Sequence, residues 1–389
     1  MSVSLWQRLF ADHRSRHSVR TDLAIIGGGV AGLSAALWAR KRGLTPLVIE
    51  RHTLGFGAST RNAGFLMRGA ADNYAAACRD YGPTRARELW RWSEDNLAIL
   101  REWGIESLPS YRRLPSCLLA IEESEAVEIR DSAELLARDG FEAHLIDSGD
   151  DTIWTAARAR SRPILGLVNP HDAVCNPAEL IAHLASRLPE DSVLERAPVH
   201  TLEDQGEAFL VRTPAHDITA SRVLICLNGY AGWLLPELAD RIIPNRGQML
   251  ALRAPSARLD HAYYANHGGE YIRPVAHGLI AVGGCRASDA AAERFAPDEP
   301  TPAIQSRIEA FAADLLGGSF EVVHRWAGTM GFTPDGLPLI GPLCSPRLWV
   351  CAGFNGHGMS LAVRSTRAAI DAIFAGSPAP FPADRFDPE

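Results

Sequence analysis

Gly27, Gly29 and Gly32 follow the apolar run Leu23 to Ile26 and open an alanine-rich segment beginning Val30-Ala31. A G-x-G-x-x-G spacing between a strand and a helix is the chemistry of a pyrophosphate cradle. The first glycine permits a sharp turn, the second lets a pyrophosphate approach the backbone, and the third lets helix and strand pack closely. Free N–H groups and the positive end of the helix dipole then face the phosphates. A second apolar run, Pro46 to Ile49, ends at Glu50, 23 residues after Gly27. A carboxylate there can accept hydrogen bonds from ribose hydroxyls, with Arg51 beside it. Far along the chain, Gly353 to Gly358 forms a second glycine loop feeding a helix that begins at Met359. This is a second place for negative charge against a helix N-terminus.

Other side chains have chemistry but less context. Arg273, in GEYIRP, can grip a carboxylate bidentately or sit in a structural ion pair. Tyr264 and Tyr271 can close a cavity or act as strand core. His267, in ANHGGEY, lines a substrate cavity or is a plain loop histidine. His357 is a donor or charge-tuning group, or else caps the helix that follows.

The elements that must position these groups read as α/β. Strand, glycine turn, helix and strand occupy Thr21 to Arg51, and RVLICL, Arg222 to Leu227, is a buried strand ending at the turn Asn228-Gly229. Residues 73–103 read as helical, as do Glu122 to Asp139, a segment opened by Asn176-Pro177, and Thr301 to Leu316. Pro198 to Leu202, Phe209 to Thr213 and Ile218 to Thr219 suggest a small antiparallel meander. Gln248 to Arg253, Glu270 to Pro274, Leu279 to Val282 and Glu321 to Trp326 read as strands of another sheet. Trp6 to Phe10 reads as a short amphipathic lead-in.

With 389 residues, 47% hydrophobic and 22% charged, the chain is long enough for two structural domains of ordinary soluble composition. A net charge of −7 argues against a general nucleic-acid binder. No apolar run reaches the ~18 residues that span a bilayer, and residues 1–20 lack the continuous apolar core of a secretory signal. The seven cysteines have neither C-x-x-C nor metal-ligand spacing, which suits free thiols in a reducing compartment and no bound metal. A cytoplasmic location is the expectation.

From about Asp22 to Phe374 the chain resembles the flavin-dependent amine and amino-acid oxidoreductases of the D-amino-acid oxidase superfamily. The resemblance rests on IIGGGVAGLSAALWARKRG…VIER, STRNAGF, NPAEL, RVLICLNGY, RGQ, GGEYIRP, and WAGTMGFTPDGLPLIG followed by GFNGHGMSLA. It implies a Rossmann-like FAD-binding domain (1–75, 150–240 and 325–389) and a second, mixed-sheet α+β substrate domain (76–149 and 241–324). The pyrophosphate would lie at Gly27, Gly29, Val30, Ala31 and Gly32, and the adenosine at Glu50 and Arg51, with Val199 beside it. Ser59, Thr60, Arg61, Asn62, Ala63 and Gly64 would run beside the flavin ring. Asn228, Gly229, Gly328, Gly353, Asn355, Gly356, His357, Gly358 and Met359 would complete its surroundings. Monomeric sarcosine oxidase-like proteins attach FAD through a cysteine where this chain has Gly328, so non-covalent FAD is expected. Members resembling glycine oxidase place a carboxylate-binding arginine soon after the motif's tryptophan, but Trp326 here is followed by Ala-Gly-Thr-Met-Gly. Arg273 is the replacement candidate, with Tyr271, His267 and His357 around the substrate.

The resemblance implies oxidation of the C–N bond of an amine or N-substituted amino acid by hydride transfer to flavin N5. The imine would then hydrolyse, and oxygen or another acceptor would take the electrons. The alternatives are an FAD-dependent dehydrogenase of a hydroxy acid or polyol phosphate, an NAD(P)-binding enzyme, and a non-catalytic FAD-binding protein.

Overall fold

The structure is a computed structural model that describes residues 16–70, 72–295 and 297–386. The lead-in expected at Trp6 to Phe10 lies outside the described residues. The two apolar runs of the glycine motif form adjacent parallel strands, His17–Ile26 and Pro46–Ile49, paired from Leu23↔Pro46 to Ile26↔Ile49. Leu23 to Ile25 are fully buried, as the continuous apolar pattern of a strand covered on both faces requires.

His17–Ile26 is central. In sheet order the strands are Leu339–Pro342, Leu348–Ala352, His216–Ile225, His17–Ile26, Pro46–Ile49 and Val193–Leu194. All but the first of these run parallel, and Leu339–Pro342 pairs antiparallel at the edge. After His17–Ile26 the chain builds first to one side and later to the other, which opens a crevice beyond the strands' carboxyl ends. The expected Ile218–Thr219 and Arg222–Leu227 segments are one ten-residue strand, His216–Ile225, in register with His17–Ile26 along its whole length. Exposed Ser221 hides this continuity in the sequence, while the inner half is fully buried. Phe209–Arg212 and Thr201–Asp204 supply the expected antiparallel meander.

The second sheet has eight strands, in the order Glu321–Phe332, Ile243–Arg253, Leu279–Gly284, Glu270–Pro274, Ala262–Ala265, Ser116–Ala120, Leu165–Asn169 and His144–Ile146. Only Ala262–Ala265 and Ser116–Ala120 pair in parallel. Helix Pro302–Leu316 buries Ile304, Ile308 and Leu315 against this sheet. Leu165–Asn169 thus joins the second sheet from within the 150–240 segment, and Glu321–Phe332 crosses the 324/325 division.

Two expected elements come out differently. Residues 73–103 hold two helices, Tyr74–Tyr81 and Pro83–Glu102, because Gly82 adopts φ 79° and Pro83 restarts the helix at its first position. The strand expected at Glu321–Trp326 continues to Phe332, with Gly328 opposite Gly247 and Gly331 opposite Pro244. Those glycines are not turns. A Cβ on Gly328 would come within 2.7 Å of Arg61 Cβ, and one on Gly331 within 2.7 Å of the Gly229 nitrogen. They are the positions where neighbouring segments press on the strand.

Helices Val30–Lys41 and Gly358–Ala375 pack side by side, and the Trp38 indole donates to the Val363 carbonyl at 2.9 Å. Helix Pro83–Glu102 crosses them, with buried Asn96 donating to the Met359 carbonyl and accepting from the Arg364 N–H. No helix among the described residues is long and apolar enough to cross a membrane.

One buried ion pair fastens the 290–301 segment to the second sheet. Arg246 Nε and Nη2 donate to Glu293 at 2.7 and 2.6 Å, Gln248 donates to the same carboxylate, and both ions are almost fully buried. Glu293→Ala leaves a buried guanidinium without its counter-charge and should cost about 3–5 kcal/mol in urea unfolding. A loss below about 1 kcal/mol would show that Arg246 finds water or other partners there.

Candidate functional site

Four of the motif segments meet at one edge of the parallel sheet. Gly27 follows Ile26, Glu50 follows Ile49, the Asn228 turn lies just beyond Ile225, and Gly353 follows Ala352. Each lies at the carboxyl end of a strand, and these four strands are neighbours. The helices after Gly29 and His357 therefore both present their N-termini to the same crevice. Neither has a side-chain cap or an acidic residue in its first turn. Those first turns keep backbone donors and partial positive charge for an anion.

The glycine turn is built for close approach. Gly27 has φ 112°, donates to the Ile49 carbonyl at 2.9 Å, and would carry a Cβ 2.7 Å from the Cys226 oxygen. A Cβ on Gly32 would overlap the Gly27 carbonyl oxygen. Glu50 accepts from the Gly28 and His52 N–H groups, both at 2.8 Å, and its remaining lone pairs suit a diol. The Ala197 N–H bonds the Glu50 carbonyl, which brings half-buried Val199 alongside. Arg51 lies over the rings of Tyr230 and Trp233, 6.0 and 5.7 Å from their centroids.

The STRNAG segment is locked by its own side chains. Ser59 Oγ accepts from the Val30 N–H at 3.0 Å, and Thr60 donates to the Gly55 carbonyl. Arg61 donates to the Phe56 and Ala327 carbonyls, while Trp326 donates to the Arg61 carbonyl. Asn62 accepts from the Gly64 N–H and donates to the carbonyls of Ala58 and Ser59. On the facing side, Asn228 Oδ1 accepts from the Gly353 N–H at 3.0 Å, and Asn355 Oδ1 accepts from the Thr333 N–H at 2.9 Å. Gly229 is packed against the Met330 carbonyl.

Arg273 is almost fully buried, and its guanidinium donates to three carbonyls, those of Ala63, Cys175 and Pro274. It braces the STRNAG segment against the start of the NPAEL helix. With no carboxylate beside it, burial pulls its pKa down to about 10. Tyr264 and Tyr271 form an aromatic cluster with Phe65. Burial pushes Tyr271 up to about 12, so both hydroxyls stay protonated donors. His267 is half exposed, 3.5 and 3.9 Å from Glu128 and Glu125. It stands beside Gly268, at the rim of a cavity that also takes in Tyr264 and His357.

The His357 ring makes no cap hydrogen bond, which sets aside its reading as a helix cap. Its Nδ1 lies 3.4 Å from the Asn355 carbonyl, and burial depresses its pKa to about 4, with the Arg286 charge acting in the same direction. At neutral pH it is an uncharged ring in the cavity wall.

Sequence reasoning passed over Arg286. It follows strand Leu279–Gly284 and Cys285, which adopts φ 61°, and its guanidinium stacks 4.5 Å from the Phe332 ring centroid. It makes no hydrogen bond or ion pair with any described residue, and burial lowers its pKa. The charges it senses and perturbs are Tyr271 and His357. The readable signal was Gly283-Gly284 at a strand end: the Tyr271 ring fills the space a side chain at Gly283 would need. Among the described residues no group of His, Cys, Asp and Glu has a metal-binding arrangement.

A family model described as "FAD dependent oxidoreductase" matches residues 22–371. γ-Glutamylputrescine oxidoreductase of Escherichia coli (strain K12) is 25% identical, over 88% of this chain and 81% of that protein. Glycine oxidase of Geobacillus kaustophilus (strain HTA426) is 24% identical, over 88% and 90%. Among solved structures, L-proline dehydrogenase from P. horikoshii superposes with a TM-score of 0.79 at 20% identity, covering 95% of this chain and 97% of that one. Glycine oxidase from Bacillus cereus ATCC 14579 gives 0.76 at 20% identity, covering 92% and 96%.

Two predictions follow from this geometry. Gly32→Ala should yield protein without bound cofactor, read as loss of absorbance near ~450 nm, because helix and turn cannot keep their separation. The second concerns His357, whose folded pKa near 4 lies below its unfolded value of about 6.5. Its contribution to stability is complete above about pH 6.5 and is lost as pH falls towards 4. Buried Asp172, raised to about 6, acts with the opposite sign over pH 4–6, so only comparison with a variant isolates the histidine. Between pH 7 and 4.5 the Tm of His357→Gln should fall less than that of the wild type; equal falls would leave the ring outside the buried site.

Proposed function

Because this chain belongs to the FAD-dependent oxidoreductase family, we propose that it oxidises the C–N bond of an amine or N-substituted amino acid that carries a carboxylate. Such oxidation breaks the C–H bond beside the nitrogen, next to an anchored anion, and the observation that carries the reading is Arg286. It is a desolvated guanidinium with no acceptor of its own, next to Tyr271 and to a neutral His357. An unpaired cation in such a setting is strongly favourable for a carboxylate.

The residues fit FAD. The cradle that a Cβ at Gly27 or Gly32 would fill, together with the uncapped helix, suits a pyrophosphate. Glu50 takes the ribose, with Arg51 and Val199 alongside. Ser59 to Gly64, Asn228, Gly229 and Gly353 to Met359 would hold the ring, and Gly328 leaves room for the Arg61 side chain. The division between an FAD-binding and a substrate domain runs close to that between the two sheets, apart from Leu165–Asn169 and the end of Glu321–Phe332, which lie in the second sheet. When bound, FAD supplies the electrophilic ring whose N5 takes a hydride.

Arg286 and the Tyr271 hydroxyl hold the substrate carboxylate, fixing the reacting carbon; most of the rate comes from that positioning. His357, uncharged at neutral pH, leaves a substrate amine in its unprotonated, reactive form instead of repelling or protonating it. The aromatic wall of Phe65, Tyr264 and Tyr271 excludes water while the imine forms. Arg273 acts by holding the Ala63–Gly64 backbone in place and touches no substrate. Oxygen or another acceptor then takes the electrons.

The test is anaerobic bleaching of the yellow protein by a panel of secondary amines, amino acids and N-alkyl amino acids, with 2-hydroxy acids and polyol phosphates alongside. Bleaching by an amine bearing a carboxylate is expected. Bleaching by hydroxy acids alone, or by nothing, would overturn the reading. Arg286→Gln should raise KM for carboxylate-bearing substrates by roughly 10²-fold while leaving the flavin spectrum intact. An equal loss for plain amines would make Arg286 structural.

A further inference from the structure

The cavity lined by His357 and Tyr264 is lined as well by Met67 and Leu118 and by the polar side chains of Arg68, Ser116 and Asn169. Arg68 is almost fully buried. Its Nη1 donates to Glu94 at 3.3 Å, and Nη2 donates to Asn169 Oδ1 and to the Glu142 carbonyl at 2.6 and 2.8 Å. Its Nε is buried with no hydrogen-bond partner among the described residues.

Two more donors face the same space. Asn169 Nδ2 has only a long contact, 3.4 Å, to Ser116 Oγ, because that hydroxyl donates to Asp172 at 2.6 Å. The Tyr264 hydroxyl makes no hydrogen bond to any described residue. A buried donor without an acceptor is costly, and such donors are rare unless something else satisfies them. The one carboxylate paired with Arg68, Glu94, is partly exposed and shared with Arg91, which holds it more closely at 2.8 Å. The lining is therefore rich in donors; its acids are Asp72 and, behind it, buried Asp172, which already accepts from Ser116 and the Arg68 N–H, and burial raises the pKa of both, to about 6 for Asp172.

We propose that Arg68, Asn169 and Tyr264 form a distal subsite that binds a second carboxylate of the substrate, at the opposite end of the cavity from His357. The inference rests on His357 and Arg286 marking the oxidation end. It narrows the substrate class to amino acids whose N-substituent or side chain ends in a carboxylate. Arg68, Asn169 and the Tyr264 hydroxyl donate to the carboxylate oxygens. Met67, Trp90, Leu118, Leu136 and Leu167 line the intervening wall with apolar surface that suits a methylene chain.

The test uses the FAD-loaded protein and unreactive acids matched in carbon number: glutarate against pentanoate, and adipate against hexanoate. Binding is followed by the visible flavin spectrum and by calorimetry. At least one dicarboxylate should bind roughly tenfold or more tightly than its monocarboxylate partner, as a charge-assisted bond in a buried site allows. In Arg68→Gln that preference should shrink to within about threefold while monocarboxylate affinity is kept. Equal affinities in the wild type, or an undiminished preference in Arg68→Gln, would overturn the proposal. Should Arg68→Gln fail to retain FAD, Tyr264→Phe carries the test, with a loss of about threefold in the same preference expected and no change contradicting it. No turnover is read, so dicarboxylate preference in a protein that no amine bleaches would sink the oxidation reading and leave the subsite standing.

Discussion

The structure depends on how closely one helix approaches one strand. Gly32 faces the Gly27 carbonyl with no room for a side chain, and Gly27 turns at φ 112° against the Cys226 carbonyl. That approach leaves the first turn of Val30–Lys41 without a cap from its own N-cap residue, Gly29, at the carboxyl edge of the sheet. The second βα unit, Leu348–Ala352 with Gly358–Ala375, is held beside the first by Trp38 and the Val363 carbonyl. Two uncapped N-termini then open on one crevice, where a helix dipole contributes about 0.3–1 kcal/mol to each bound negative charge at exposed sites and more when partly buried. The elements outside this pair either hold it in place or build the cavity above it.

Arg273 and Arg286 show how a charged side chain divides between structure and chemistry. Arg273 and Arg286 lie on or beside neighbouring strands, and burial lowers the pKa of both. Arg273 satisfies itself on three backbone carbonyls and so fixes the geometry of residues 63–64. Arg286 has only the face of Phe332. What separates them is the presence of acceptors, and acceptors come from tertiary packing.

Sequence legibility follows the same line. The glycine turn, Glu50 and the 353–358 loop were readable because backbone conformation dictates residue type locally: Gly27 needs a positive φ, and Gly32 needs the absence of a Cβ. The strands Pro46–Ile49 and Glu270–Pro274 were readable as bounded apolar or β-branched runs. Arg286 and Arg68 were illegible. Whether every guanidinium nitrogen finds an acceptor is decided by what surrounds it, and nothing in GGCRAS or FLMRG records that.

The central claim is that an anion on the substrate is held by Arg286 at the His357 end of the cavity. It is tested most directly by a crystal structure of the FAD-loaded protein with propionate, an unreactive carboxylate. The account predicts the carboxylate on the Arg286 guanidinium, within hydrogen-bond reach of the Tyr271 hydroxyl, with its carbon chain beside the flavin ring. A carboxylate bound at Arg273 after displacing its backbone carbonyls, or bound away from the flavin with Arg286 still stacked and unpaired, would contradict it.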